Sequence, residues 1–207
     1  MVNNFSGNLI VFEGLDGSGT TTQSTLLAEY LEERGQSVLQ VEEPGGTDLG
    51  RSVRELLLED HGMDVKPLSE LFLYEVSRAQ LVREKIIPAF EKGRVVISDR
   101  FAVSSVAYQG HGRGISIDVV KELNSIALNG VKPDLTFFLD IDLEERDKRS
   151  SGRRPDRIEK EAREFYNRVR NGYLEEIRSM RNAVLLDGSL SKDEIFQKVV
   201  SELEASL

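Results

Sequence analysis

Three glycines and three threonines follow a short apolar run near the start of the chain, in the order Gly14-Leu15-Asp16-Gly17-Ser18-Gly19-Thr20-Thr21-Thr22. Glycines at this spacing let backbone N–H groups turn inward around a phosphate. A helix starting at the threonines would add the partial positive charge of its N-terminus. The hydroxyl of Thr21 stands where such a loop places a ligand for Mg²⁺. Thr20 departs from the pattern, because the motif has a lysine there whose ammonium reaches the β- and γ-phosphates of a nucleoside triphosphate. The plainer reading is a glycine-rich turn with no ligand, and the strand-like and helix-like flanks argue against it.

Asp99-Arg100 closes a second apolar run, Val95-Val96-Ile97. The end of a strand in an open α/β sheet is where ligand-facing residues sit. A carboxylate there suits Mg²⁺, directly or through water, and a guanidinium can clamp phosphate oxygens and offset developing charge. As a surface ion pair the two would contribute only ~0–1 kcal/mol. The densest arginine group is Arg146, Arg149, Arg153, Arg154 and Arg157. The segment Ser150–Arg157 reads as a loop, and Arg153, Arg154 and Arg157 fit a lid that closes over phosphates and excludes water. A solvated basic loop on an acidic protein is the competing reading. Tyr74 lies one helical turn before Arg78, so both can face one pocket; a buried helix aromatic is the alternative for Tyr74 alone.

These groups need a scaffold, and alternating apolar runs and helix-length segments supply one. Asn8–Glu13, Ser37–Val41, Val95–Ile97, Leu135–Ile141 and Ala183–Leu186 read as strands. Thr21–Arg34, Leu49–Leu58, Leu68–Glu91 with a disturbance near Pro88, Ile117–Leu128, Leu143–Arg149, Ile158–Arg181 and Lys192–Leu203 read as helices. Strands separated by helices imply a parallel sheet of about five strands covered on both faces, a three-layer α/β domain spanning residues 1–207.

Composition narrows the class. The 207 residues carry no cysteine and only two histidines, so thiolate chemistry is excluded and a histidine-based metal site has little to draw on. His61 and His111 show no partner in sequence and read as incidental. A formal charge of −9 argues against a broad nucleic-acid or anionic-membrane surface, while leaving local phosphate sites open. No apolar run is long enough for a membrane span, and the opening residues lack a signal peptide's plan, so the cytoplasm is the expected compartment.

The chain resembles the bacterial thymidylate kinases of the P-loop nucleoside-monophosphate kinase class. The likeness is carried by Phe12-Glu13-Gly14-Leu15-Asp16-Gly17-Ser18-Gly19, Glu43-Pro44-Gly45-Gly46-Thr47, Ser77-Arg78-Ala79-Gln80, Asp99-Arg100-Phe101, Ser104-Ser105-Val106-Ala107-Tyr108-Gln109-Gly110 and Pro133-Asp134-Leu135-Thr136. The resemblance implies a P-loop NTPase-type fold, a homodimer, and ATP and dTMP as substrates with Mg²⁺. It implies that Gly14, Asp16, Gly17, Ser18, Gly19, Thr20, Thr21, Thr22 and Arg146 serve ATP, with Arg146 stacking on adenine or simply lying on a helix face. Asp16 would meet the sugar 3′-hydroxyl, Tyr74 would stack on thymine, and Arg78 would address a base carbonyl. Ser105 and Gln109 would bond the pyrimidine edge, and Tyr108 would crowd the 2′ position. Arg100, Asp99 and the lid arginines would act on the transferred phosphoryl group. Glu42 replaces an arginine common in the family, removing one candidate phosphate contact. The chemistry expected is in-line attack by a dTMP phosphate oxygen on the γ-phosphorus of ATP. The alternatives carried are a kinase for another nucleotide or deoxynucleoside, and a nucleotide-binding protein slowed by the missing lysine.

Overall fold

The computed structural model describes residues 8–151 and 155–206. In chain order the elements are β1 (Leu9–Gly14), α1 (Thr20–Glu33), β2 (Val38–Glu42), α2 (Asp48–Leu58), α3 (Pro67–Leu81), a π-helical stretch Val82–Ile86 and α4 (Ile87–Glu91). They continue with β3 (Val95–Asp99), α5 (Ala102–Ser105), a second π-helical stretch Val106–Gly112, α6 (Ile117–Leu128), β4 (Leu135–Asp140), α7 (Leu143–Ser150), α8 (Arg163–Ser179), β5 (Ala183–Asp187) and α9 (Lys192–Ser206). The five strands form one parallel sheet in the order β2-β3-β1-β4-β5.

Alternation along β1 sorts its side chains onto two cores. Ile10 and Phe12 pack with Leu27 and Leu31 of α1 and with Val199 and Leu203 of α9. Leu9 and Val11 pack on the other face against Leu81, Val82, Ile86 and Phe90. A third cluster gathers Leu15 and Phe138 with Tyr108, Phe165, Tyr166 and Tyr173, joining the second π-helical stretch to α8. This is the three-layer arrangement expected for a P-loop fold. Its consequence for chemistry is positional: β1 is central and β3 is its neighbour, with Phe12 in register with Asp99. The glycine-rich loop leaving β1 and the Asp99-Arg100 pair leaving β3 therefore emerge side by side.

Three segments differ from the sequence expectation, each for a local reason. The helix expected from Leu68 to Glu91 widens at Val82–Ile86, ahead of Pro88. A proline ring crowds the carbonyl four residues before it, here Glu84, and a π-turn makes room. The helix expected from Ile158 starts at Arg163. Asp156 and Glu159 cap each other, Asp156 N donating to Glu159 Oε2 and Glu159 N to Asp156 Oδ1, while Arg157 N bonds Leu58 O on α2. Those bonds satisfy the backbone as an isolated turn. The helical run Ala102–Gly112 was not among the helices expected from sequence, and it carries two glycines, Gly110 and Gly112. Both are packing glycines: a Cβ would lie 2.6 Å from Ile117 at Gly110 and 2.6 Å from Phe165 at Gly112.

Candidate active site

The loop between β1 and α1 takes a shape that its glycines permit. Gly17 (φ +82°) and Gly19 (φ +100°) lie in the left-handed region, and a Cβ on Gly14 would fall 2.3 Å from Ser18 Oγ. Gly19 is the N-cap of α1, with no side-chain cap and no acidic residue in the first turn, so the helix N-terminus is left for an external anion. Thr20 and Ser18 are buried, while Thr21 and Thr22 are exposed at this opening.

Thr21 Oγ1 donates to Asp99 Oδ2 at 2.5 Å, joining the loop to the end of β3. The other carboxylate oxygen, Asp99 Oδ1, is buried with no hydrogen-bond partner among the described residues. A hard divalent cation takes hydroxyl and carboxylate oxygens with phosphate and water completing the shell. This donor pair with its unsatisfied oxygen fits Mg²⁺. Among the described residues no cluster of three or more acidic or imidazole groups competes for that place.

Arg100 occupies the junction. Its backbone is left-handed (φ +67°), held by Arg100 N donating to Phe12 O at 2.8 Å and by Ser98 Oγ donating to Arg100 O at 2.6 Å. A non-glycine residue there costs roughly 1–2 kcal/mol. The side chain is thereby turned under the loop, Nη2 donating to Asp16 Oδ1 at 2.6 Å and Nη1 to Gly14 O at 2.5 Å and to Tyr173 Oη at 3.2 Å. Tyr108 Oη donates to the other Asp16 oxygen at 3.2 Å. Below them Glu13 is fully buried and accepts from Ser104 Oγ at 2.6 Å; burial pushes its carboxyl up to about 7.

Two pockets meet at this junction. One is walled by aromatic and apolar groups, including Tyr74, Phe101, Tyr108 and Ile158, with Arg78 and Gln109 at its polar edge. The other lies over the loop and contains Gly17, Gly19, Thr20, Thr21, Thr22, Asp99 and Arg149. Asp16, Glu43, Arg54, Arg100 and Asp156 line both. Among the described residues the loop pocket is lined by six carboxylates, Asp16, Glu42, Glu43, Asp99, Asp156 and Glu159, and three guanidinium groups. Against this lining an anionic polyphosphate meets net repulsion, which a divalent cation entering with it lessens.

Most of the expected site residues come together here, and several take places that differ in detail. Tyr74, Arg78, Tyr108 and Gln109 line the aromatic pocket. Ser105 does not; it stands behind Arg78 and accepts from Nη1 at 3.0 Å, while its neighbour Ser104 faces the pocket. Arg78 is 1% exposed and its donors are engaged by Glu43, Glu75, Ser105, Asn124 and the Phe101 carbonyl. It is a wall of the pocket whose charge is met by Glu43 and Glu75, and a base carbonyl there would share a proton already in use. Arg146 lies 3.4 Å over the Tyr166 ring and bonds Asp147, so an internal ring occupies the face expected for adenine. Arg157 lines neither pocket; it reaches Leu57 O and Glu70, anchoring its segment to α2 and α3. Arg153 and Arg154 lie outside the described residues.

Two arginines had no role in the sequence reading. Arg54 on α2 lines both pockets and donates to Pro44 O at 2.7 Å, with Glu42 at 3.5 Å. Its signal was its place on the helix after Glu43-Pro44-Gly45-Gly46-Thr47, whose Thr47 Oγ1 caps that helix by accepting from Gly50 N at 2.9 Å. Arg149 on α7 donates to Gly17 O at 3.2 Å and to Glu145 at 2.7 Å. Spacing within the arginine group could not separate it from its neighbours.

Comparison with known proteins agrees with this geometry. A sequence profile of the thymidylate kinase family matches residues 12–199. The chain is 45% identical over 202 residues to the thymidylate kinase of Caldanaerobacter subterraneus subsp. tengcongensis, covering 97% of each. It is 44% identical over 198 residues to the thymidylate kinase of Thermosipho melanesiensis, covering 96% of this chain and 98% of that one. The crystal structure of thymidylate kinase from Ehrlichia chaffeensis aligns with a TM-score of 0.78 at 35% identity, covering 96% of this chain and 98% of the other.

Proposed function

This chain belongs to the thymidylate kinase family, and from that premise we propose that it transfers the γ-phosphoryl group of ATP to dTMP, yielding dTDP and ADP, in the supply of dTTP. The observation that carries this reading is the meeting of the two pockets at Asp16 and Arg100. ATP phosphates lie over the N–H groups of the loop and of α1, and dTMP places its base between Tyr74 and Phe101 with its phosphate toward Arg54 and Arg100. Acceptor and donor then face each other across a guanidinium that is already fixed in place. The phosphate monoester is an anion near neutral pH, so its oxygen attacks the γ-phosphorus without a strong general base, and the bond to the β-phosphate oxygen breaks in line.

Mg²⁺ would be held by Thr21 and Asp99, where it would supply charge neutralisation to the phosphates. Asp16, oriented by Arg100 and Tyr108, accepts from the 3′-hydroxyl of the sugar. Tyr108 then stands beside the 2′ position. Arg149 is best placed of the described basic residues to supply the cation that the motif's lysine would bring.

The protein acts as a homodimer in the cytoplasm, where its nucleotides are found. The support for pairing is an apolar stripe on α3, Leu68, Phe72 and Val76, each more than 40% exposed, flanked by Leu49 and Leu56 on α2 and by Val119 and Ile126 on α6. An exposed stripe of this extent marks an interaction surface. Among the described residues no helix is long and apolar enough to cross a membrane.

A coupled ADP-release assay over dTMP, dCMP, AMP and GMP with Mg²⁺-ATP tests the substrate. The pocket predicts that kcat/KM for dTMP exceeds the others by orders of magnitude, because a site built on specific hydrogen bonds rejects analogues that leave buried groups unpaired. Comparable turnover of AMP or dCMP would refute the thymidylate assignment and leave the kinase chemistry standing.

A further inference from the structure

Glu70 is fully buried on α3, two turns before Arg78. Three side chains converge on its carboxylate. Oε1 accepts from Gln109 Nε2 at 3.0 Å and Arg113 Nε at 3.1 Å; Oε2 accepts from Arg113 Nη2 at 3.0 Å and Arg157 Nη2 at 2.6 Å. Burial alone would raise its pKa, but the hydrogen bonds from Arg113, Gln109 and Arg157 outweigh burial and hold it below the usual carboxylate range. With two guanidinium groups against it, Glu70 is an anion and can only accept.

That fact fixes the neighbouring amide. The two ends of a glutamine amide are alike in shape and opposite in hydrogen bonding. Only the NH₂ end can face a carboxylate, so Gln109 Oε1 is the end left over, and no donor among the described residues reaches it. Gln109 lines the aromatic pocket, which is therefore offered an acceptor.

We propose that Glu70 is a specificity-determining positioning residue: by locking the Gln109 amide in one orientation, it makes the pocket select a nucleobase that carries a ring N–H donor and reject one that carries a ring acceptor there. The proposal rests on the thymine reading above. Thymine presents N3–H, which donates to Gln109 Oε1. Cytosine presents the N3 lone pair at the same position, acceptor against acceptor. An unrestrained glutamine would rotate its amide and serve either base, so Gln109 does not discriminate by itself. Arg113 and Arg157 hold the carboxylate ionised, and Arg113 is fixed in turn by Glu161 at 2.5 Å.

The test is kcat/KM for dTMP and dCMP in the native protein and in Glu70→Gln, whose amide can either donate or accept and so releases Gln109. The expected result is a fall in the dTMP/dCMP ratio of at least ~10-fold, with dCMP turnover rising in absolute terms. Equal losses on both substrates, leaving the ratio unchanged, would show a merely structural role and overturn the proposal. A second arm needs no variant: the native protein with N3-methyl-dTMP, which lacks the donor, should lose ~10²-fold or more in kcat/KM against dTMP. Equal use of the two would overturn the proposal while the dTMP kinase reading stood. Failure of the native protein to turn over dTMP at all would overturn both, and is told apart by that native control.

Discussion

Removing the guanidinium of Arg149 should lower the rate of phosphoryl transfer, and installing a lysine at position 20 should restore it. Among the described residues three guanidinium groups border the loop pocket. Arg100 is committed to Asp16 and the Gly14 carbonyl, and Arg54 to the Pro44 carbonyl and Glu42. Arg149 touches the loop itself, 3.2 Å from Gly17 O, with its side chain 29% exposed and its Nε on Glu145, an (i, i+4) partner on the same helix outside the pocket lining. Two unit charges 4 Å apart interact by about 4 kcal/mol near a protein surface. Screening at this exposure cuts that to about 2–3 kcal/mol, equivalent to a loss of about 30- to 150-fold in rate. We expect Arg149→Ala to lose that much in kcat while KM for dTMP stays within about threefold, since Arg149 does not line the aromatic pocket. Arg149→Lys should retain most of the activity. Thr20→Lys should recover most of the loss in the Arg149→Ala background and change the native rate much less, because the two cations would serve the same phosphates and their effects would not add. Steady-state kinetics of the four proteins with saturating Mg²⁺-ATP decides it. An Arg149→Ala enzyme with kcat within about twofold of native would refute the assignment of that charge to Arg149. Strictly additive effects of the two substitutions would do the same.

Two further outcomes follow from burial and from the exposed stripe. Glu43 is 4% exposed, paired with Arg78 through one oxygen and unpartnered at the other, and burial pushes it up to about 7 from 4.5. A folded-state pKa above the unfolded one means that its contribution is fully present below about 4.5 and is lost as pH rises through about 7. Urea unfolding at pH 5 and pH 8 should therefore show Glu43→Gln gaining on the native protein as pH rises, by up to about 3 kcal/mol, and parallel stabilities at the two values would contradict the shift. Phe72→Glu places a charge in the α3 stripe and should convert a dimer to monomer in analytical ultracentrifugation; an unchanged mass would remove that face as the pairing surface.

The scaffold was legible because its signals are local and repeated. Apolar runs such as Leu9–Phe12 and Leu135–Leu139 are buried on both faces of a parallel sheet and carry little ambiguity, and glycines after β1 mark a loop that only a phosphate or an unusual turn would require. Chemistry placed at strand ends was legible for the same reason: the parallel topology puts Thr21 and Asp99 side by side once β1 and β3 are neighbours. What sequence could not supply was the partner of each charge. Arg146, Arg149 and Arg157 occur within twelve residues and look alike on paper, yet one stacks on Tyr166, one reaches the loop and one anchors to Glu70. The difference is decided by the turn at Asp156–Glu159, which stops the expected helix and swings Arg157 toward α3. Glu70 shows the same limit from the other side. In sequence it is one more acidic residue on an amphipathic helix of an acidic protein, where a solvated face is the ordinary expectation. Only the fold reveals that it is buried beneath two arginines and an amide, and a carboxylate in that place determines which atom of Gln109 the pocket sees.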